Sequence, residues 1–256
     1  MTEHNFKPCP VCGNDRPELM TWVEQVEDVH RILCKSCDTI YFDREGQHQP
    51  IYDIDYNKHF FRPGDIRKAG TMAAKLAELI SDRFKHPNIL EAGSGNGLTI
   101  LLLRAMGYNA FGIDLDNRLS VYLMEKFKIP IVTAKFEEFN PPGKYHLIYS
   151  SHVIEHCKNP WTFFKKAYNL LEEEGIFYLD TPDTYYLNKR PGRWHHFETR
   201  NPFEHCCLLG EVGIKILARE TKFVTLHRQR YGDFMSQQVI MIKPKAARLK
   251  KALPFP

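Results

Sequence analysis

From His86 onward the chain alternates short apolar runs with stretches of helical period. Asn88–Ala92, Asn109–Asp114, Ile131–Ala134, Tyr145–Ser150 and Ile176–Asp180 read as strands. Between them, Leu98–Met106, 116–127 and 160–172 read as helices, the last opening at Pro160, a residue suited to the first helical turn, and stopping before Gly175. Upstream, 62–84 is helical, with apolar Met72, Leu76, Leu79 and Ile80 three and four residues apart. This strand–helix rhythm predicts an α/β fold with a mainly parallel sheet and helices on both faces. A helix is expected at 203–217. Two β-rich runs follow, Thr221–Arg230 and Gln237–Lys243, close enough for a hairpin, so at least one strand is expected to be antiparallel.

The rhythm fails in four places, and these suggest the domain organisation. Residues 1–45 carry two Cys-x-x-Cys pairs around a β-rich stretch, and 46–61 is polar and aromatic, reading as a linker. The main domain spans 62–244. It is interrupted at about 183–203 by a segment rich in aromatic, basic and histidine residues that reads as an insertion or lid. Residues 245–256 form a basic tail.

Composition narrows the function classes only slightly. The chain has 256 residues, 43% hydrophobic and 26% charged, which excludes wholesale disorder and leaves room for one large domain and a small module. Its net charge of +4 is too small to argue for nucleic acid by itself. No apolar run reaches the roughly 18 to 20 residues of a membrane span, and the N-terminal residues lack a signal-type apolar stretch, so a soluble, cytoplasmic protein is expected. In a reducing compartment the two cysteine pairs favour metal over disulfides. Cys9 and Cys12, then Cys34 and Cys37, each supply two thiolates from a tight turn, which together close a tetrahedral Zn2+ site with no open position and hence a structural role.

Glu91-Ala92-Gly93-Ser94-Gly95-Asn96-Gly97 lies between a strand and a helix, where glycines let the backbone turn tightly and approach a ligand. The spacing departs from the dinucleotide pattern, and an acid beside the loop suits a cationic ligand better than a pyrophosphate. Asp114 ends the next strand, where a carboxylate can accept both hydroxyl hydrogens of a ribose. Together with Tyr145–His156 and the Leu170–Pro182 segment, these motifs resemble the class I S-adenosylmethionine-dependent methyltransferases over about residues 60–245. The N-terminal four-cysteine ribbon is similar to that of one subgroup. The resemblance implies a Rossmann-like, seven-stranded, mostly parallel sheet with an antiparallel C-terminal strand. It implies that Glu91, Gly93, Ser94 and Gly95 line the amino-acid end of S-adenosylmethionine, with Asp114 and its neighbour Leu115 at the ribose. It further implies that Lys135 and Phe136 lie at the adenine and that Ser151 and His152 close the methionine side.

The chemistry of the acceptor stays open between three readings of His152-x-x-Glu155-His156. Histidine is the natural base near neutral pH, and His152 or His196 could take an acceptor proton. Alternatively Glu155, His156 and one of His195 and His196 could hold a second divalent metal, as the similar motif does in small-RNA 2′-O-methyltransferases and quinone-precursor O-methyltransferases. In the third reading, Glu155 and His156 simply cap the following helix. The leading expectation is O-methylation of a small-molecule acceptor such as a sugar, nucleotide-sugar or phenolic metabolite. An RNA 2′-O-methyltransferase and a non-catalytic zinc-ribbon binding protein are the alternatives. The sequence assigns no oligomeric state.

Overall fold

A computed structural model describes residues 7–26, 29–42, 63–185, 205–232 and 236–246. Seven strands form a mixed, mostly parallel sheet in the order β10-β11-β8-β7-β4-β5-β6. These are β4 (Asn88–Ala92), β5 (Asn109–Asp114), β6 (Ile131–Thr133), β7 (Tyr145–Ser151), β8 (Leu171–Pro182), β10 (Val224–Tyr231) and β11 (Ser236–Ile242). A second sheet of four strands has the order β1-β2-β3-β9, from β1 (Met20–Val26), β2 (Val29–Cys34), β3 (Thr39–Phe42) and β9 (Cys207–Leu208). The helices are α1 (Pro63–Ser81), α2 (Leu98–Ala105), α3 (Asn117–Phe127), α4 (Pro160–Leu170) and α5 (Glu211–Glu220). The described residues fall into two compact units. One draws on 63–151, 166–179 and 241–246, the other on 7–26, 29–42, 152–165, 180–185, 205–232 and 236–240.

In the first unit β4 pairs in parallel with both β5 and β7. Chain order therefore reverses beside β4, and in such sheets the crevice at the carboxyl ends of the strands flanking that reversal is where ligands bind. Ile89, Leu90, Leu147 and Ile148 are fully buried, as strands covered on both faces require. The buried stripe of α1 runs through Ala69, Ala73, Leu76 and Ile80, while Met72 and Leu79 lie half-buried at its margins. Small residues thus carry half of the packing face that the apolar pattern assigned to larger ones.

β8 starts at Leu171, where the apolar pattern extended the preceding helix to 172. Glu174 N–H donates to the Lys243 carbonyl and Lys243 N–H to that of Gly175, so β11 captures this acidic stretch as an antiparallel partner. Lys243 Nζ adds hydrogen bonds to the carbonyls of Tyr168 and Leu171 at the end of α4.

In the second unit β9 pairs antiparallel with β3 (Ile40 with Leu208, Tyr41 with Cys207). The expected helix at 203–217 is therefore displaced: α5 begins at Glu211, after β9 and Gly210. The expected linker, most of the insertion and residues 247–256 lie outside the described residues.

Candidate functional site

The loop after β4 holds Gly93, Gly95 and Gly97 at φ of 77°, 49° and 65°, a left-handed path that glycine takes without a Cβ penalty. Gly93 and Ser94 both donate to the Ile113 carbonyl, pinning the loop to β5. Gly112 makes that approach possible: a Cβ there would lie 2.4 Å from Ile100 and 2.8 Å from Ser94. Asp114 then clamps the loop, its Oδ2 accepting from Gly95 N–H at 2.8 Å and its Oδ1 from Asp116 N–H at 2.9 Å. The expected ribose ligand thus also organises the cradle.

Beside the glycine loop and at the end of β7, Glu91 Oε2, Ser94 Oγ and Ser150 Oγ are buried with no hydrogen-bond partner among the described residues. Burial, then the nearby Asp114 carboxylate, push the Glu91 carboxyl well above its ordinary range, against a weaker hydrogen bond from Thr99. A ligand bringing a cation and hydroxyl or ammonium donors would satisfy these groups, so the residues fit S-adenosylmethionine chemically. Among the other expected residues, Leu115 is exposed, Phe136 is buried in a short 3-10 turn, and Ser151 is half-buried at the end of β7. Lys135 makes a surface ion pair with Glu138. Ser150 had escaped sequence reasoning, because strand alternation turns it to the opposite face from Ser151.

The other unit holds the histidine motif. His152 has a φ of 53°, and its N–H donates to the Asp180 carbonyl at 2.9 Å. A left-handed residue other than glycine costs about 1–3 kcal/mol and marks a position the surrounding structure dictates. Its Nδ1 lies 3.2 Å from Oε1 of the fully buried Glu155, without hydrogen-bond alignment, and Thr181 Oγ1 donates to Glu155 Oε2 at 3.1 Å. Glu155 does not cap α4. That role falls to Asn159, whose Oδ1 accepts from Trp161 N–H.

His156 and His205 meet edge to face, ring centroids 4.9 Å apart, and one ligand atom from each of Glu155, His156 and His205 lies within 4.8 Å of the others. His195 and His196, expected to supply the third member of such a set, lie outside the described residues. The histidine beside Glu155 and His156 among the described residues is His205. Burial lowers His205 to a pKa of about 4, with Glu155 opposing, so its ring is neutral near pH 7. For Glu155, burial raises the carboxyl, but contact with His152 and the fields of His156 and His205 outweigh it, and the net shift is downward. Among the described residues, His205 Nδ1 has no hydrogen-bond partner, and Glu155 Oε1 has only the His152 contact at 3.2 Å. Asp180, which sequence reasoning also missed, accepts from Tyr231 at 2.6 Å, and burial raises its carboxyl.

The same unit brings the four cysteines together, with Cys9 and Cys37 sulfurs 3.5 Å apart, Cys12 and Cys34 sulfurs 3.6 Å apart, and all four within 4.8 Å. A tetrahedral site with Zn–S near 2.3 Å needs sulfurs about 3.8 Å apart, so the set fits Zn2+. Hydrogen bonds from Cys37 and Cys9 hold the Cys34 thiol far below its usual range, while the same contact with Cys34 raises Cys9 and Cys37. A cation between the sulfurs would offset the repulsion of thiolates packed this closely.

A family model described as a methyltransferase domain matches residues 65–228. A ubiquinone biosynthesis O-methyltransferase of Rickettsia bellii is 26% identical over 98 residues, 36% of this chain and 41% of that protein. The chain thus spans under half the length of that curated relative. Magnesium protoporphyrin IX methyltransferase of Synechocystis, solved with bound S-adenosylhomocysteine, superposes with a TM-score of 0.56 at 14% identity over 78% of this chain and 90% of that one. A 1,6-didemethyltoxoflavin-N1-methyltransferase of Burkholderia thailandensis, solved with its acceptor and S-adenosylhomocysteine, gives 0.54 at 12% identity over 87% and 98%. With the glycine loop, its acidic partner and the seven-stranded sheet, these matches make the chain a member of the class I S-adenosylmethionine-dependent methyltransferase family.

Proposed function

We propose that the protein transfers a methyl group from S-adenosylmethionine to an oxygen of a small-molecule acceptor, with His152 as the base. The observation that carries this reading is the chain Thr181–Glu155–His152. A buried carboxylate, itself held by a hydroxyl, stands at Nδ1 of a strained and partly exposed imidazole. In that arrangement Glu155 favours the tautomer with the proton on Nδ1, which makes Nε2 the nitrogen that accepts a proton. The sulfonium of the bound cofactor supplies an activated methyl group. The chain's work is to hold the acceptor in line, remove its proton at His152 and keep Glu91 charged beside the cofactor. The named relatives act in ubiquinone biosynthesis and on a porphyrin and a toxoflavin precursor, which supports a planar small-molecule acceptor.

On this reading Cys9, Cys12, Cys34 and Cys37 hold a structural Zn2+, and 1–45 is the zinc ribbon of a methyltransferase subgroup. The linker would then be 46–61, the methyltransferase domain 62–244, with its insertion at about 183–203, and the tail 245–256. His152→Gln should slow label transfer from S-adenosylmethionine into acceptors by about 10²–10⁴-fold while cofactor affinity stays within about twofold. An unchanged rate would remove His152 from the chemistry.

A second reading is favoured by the convergence of Glu155, His156 and His205, with His205 Nδ1 buried and without a hydrogen-bond partner among the described residues. These residues would hold a divalent metal that polarises the acceptor hydroxyl. Neutral imidazole is the ligating form. On this reading His205→Ala lowers the metal content by one ion per chain. On the first reading it leaves the content unchanged.

A further inference from the structure

Each segment that carries the histidine cluster is seated against a turn that carries a cysteine pair. The segment with His152, Glu155 and His156 runs on to Trp161, whose indole N–H donates to the Pro10 carbonyl at 3.0 Å, between Cys9 and Cys12. The segment with Thr181 runs on to Thr184, whose hydroxyl donates at 2.7 Å to the carbonyl of Asp38, the residue after Cys37. Asp38 holds a left-handed φ of 55° that sets the direction of that carbonyl. His205 stands two residues before β9, a strand of only two residues. So short a strand has no stability of its own and depends on β3, which begins two residues after Cys37.

The seam behind β9 is tight. A Cβ on Gly213 would lie 2.8 Å from Thr39 Oγ1 and 3.2 Å from the Cys37 carbonyl. One on Gly210 would lie 2.5 Å from the Asp38 Cβ and 2.6 Å from its carbonyl. Cys37 Sγ in turn contacts Thr39 Oγ1 at 3.1 Å. From β2, Arg31 is fully buried, stacks 5.3 Å from the centroid of Phe42, and adds its positive field at His205.

We propose that the metal-loaded four-cysteine site is the positioning element of the Glu155–His156–His205 cluster, so that metal withdrawal releases the cluster while the glycine-loop cradle stays folded. This rests on the structural-zinc reading above. The cysteines then act through other residues and touch no substrate.

Hydrogen exchange followed by mass spectrometry, with metal analysis of the same samples, tests the proposal. Stripping the metal with a chelator is expected to speed exchange of 154–161 and 205–213 by at least about tenfold, while 88–114 changes by less than about twofold and S-adenosylmethionine still binds. Gly213→Ala presses on Thr39 Oγ1 and the Cys37 carbonyl but on no cysteine sulfur and no member of the cluster. It should keep its metal and yet show the same selective acceleration at 205–213. Wild-type protection of 205–213 in the verified metal-free protein would overturn the coupling alone, whatever Gly213→Ala shows. Freshly purified protein without zinc would overturn the zinc reading and the coupling with it.

Discussion

Glu91 at the glycine loop and Glu155 in the histidine cluster are both buried carboxyls, yet their ionisation moves in opposite directions. Around Glu91, burial dominates and the nearest charge is another acid, Asp114, so the proton is held. Around Glu155, burial is as severe, but His152, His156 and His205 offset it and the carboxylate is favoured. The difference teaches that the two sites are at different stages of completion. The charge of Glu91 is to be met by a cationic ligand, whereas Glu155 is supported by the histidines packed around it. Opposite environments for two carboxyls are a standard way for one protein to hold both a binding charge and a proton-handling group.

Removing the clamp of the cradle is the strongest way to break this comparison. Asp114→Ala loses one charge-assisted hydrogen bond to the loop, at Gly95, one to Asp116 N–H in the turn after β5, and the expected ribose acceptor. At about 1.5–3 kcal/mol for each bond to a charged group, S-adenosylmethionine affinity should fall by about 100-fold or more in a calorimetric titration. Wild-type affinity in this variant would mean that Asp114 neither organises the loop nor holds the ribose.

The pH dependence of binding sharpens the contrast further. Glu91 is protonated in the free protein below its raised pKa, and a bound cation favours its carboxylate. Binding therefore releases a proton, and affinity should rise with pH by up to about tenfold per unit between the ordinary carboxylate range and the raised pKa, then level off. Glu91→Gln should bind more weakly with a flat profile. A flat profile in the wild type would show that Glu91 is already ionised before the cofactor arrives.

The smallest effect tests the other carboxyl. Thr181→Val removes the hydroxyl donor to Glu155 Oε2. Leaving that oxygen unsatisfied should destabilise the protein by about 1–3 kcal/mol in urea unfolding, with cofactor affinity unchanged. Equal stability would mean that Glu155 draws little support from Thr181.

The cradle was legible in the sequence because it is contiguous. One strand, one glycine loop and one acid at the end of the next strand lie within residues 91–114, and β4 and β5 fall where the apolar pattern put them. The convergence of the cysteines was legible from their paired spacing. The cluster was legible only in part, because His152, Glu155 and His156 are adjacent in sequence but their partners are not. Asp180, Thr181, His205 and Tyr231 come from distant strands and loops, and although Thr181 lies in the Leu170–Pro182 motif segment, nothing in the local sequence ties any of them to Glu155. Near His205, the run of Cys206, Cys207, Leu208 and Leu209 is too short for periodicity to separate strand from helix, and pairing with β3 decides the matter. The start of β8 misled for a similar reason: Glu172, Glu173 and Glu174 favour helix locally, and the backbone of β11 overrides that preference.

The central claim is methyl transfer to a small molecule, and following labelled S-adenosylmethionine into a host extract, with and without ribonuclease, tests it most directly. The account predicts label in small molecules, unchanged by the nuclease and lost with His152→Gln. Label confined to nuclease-sensitive macromolecules would contradict it.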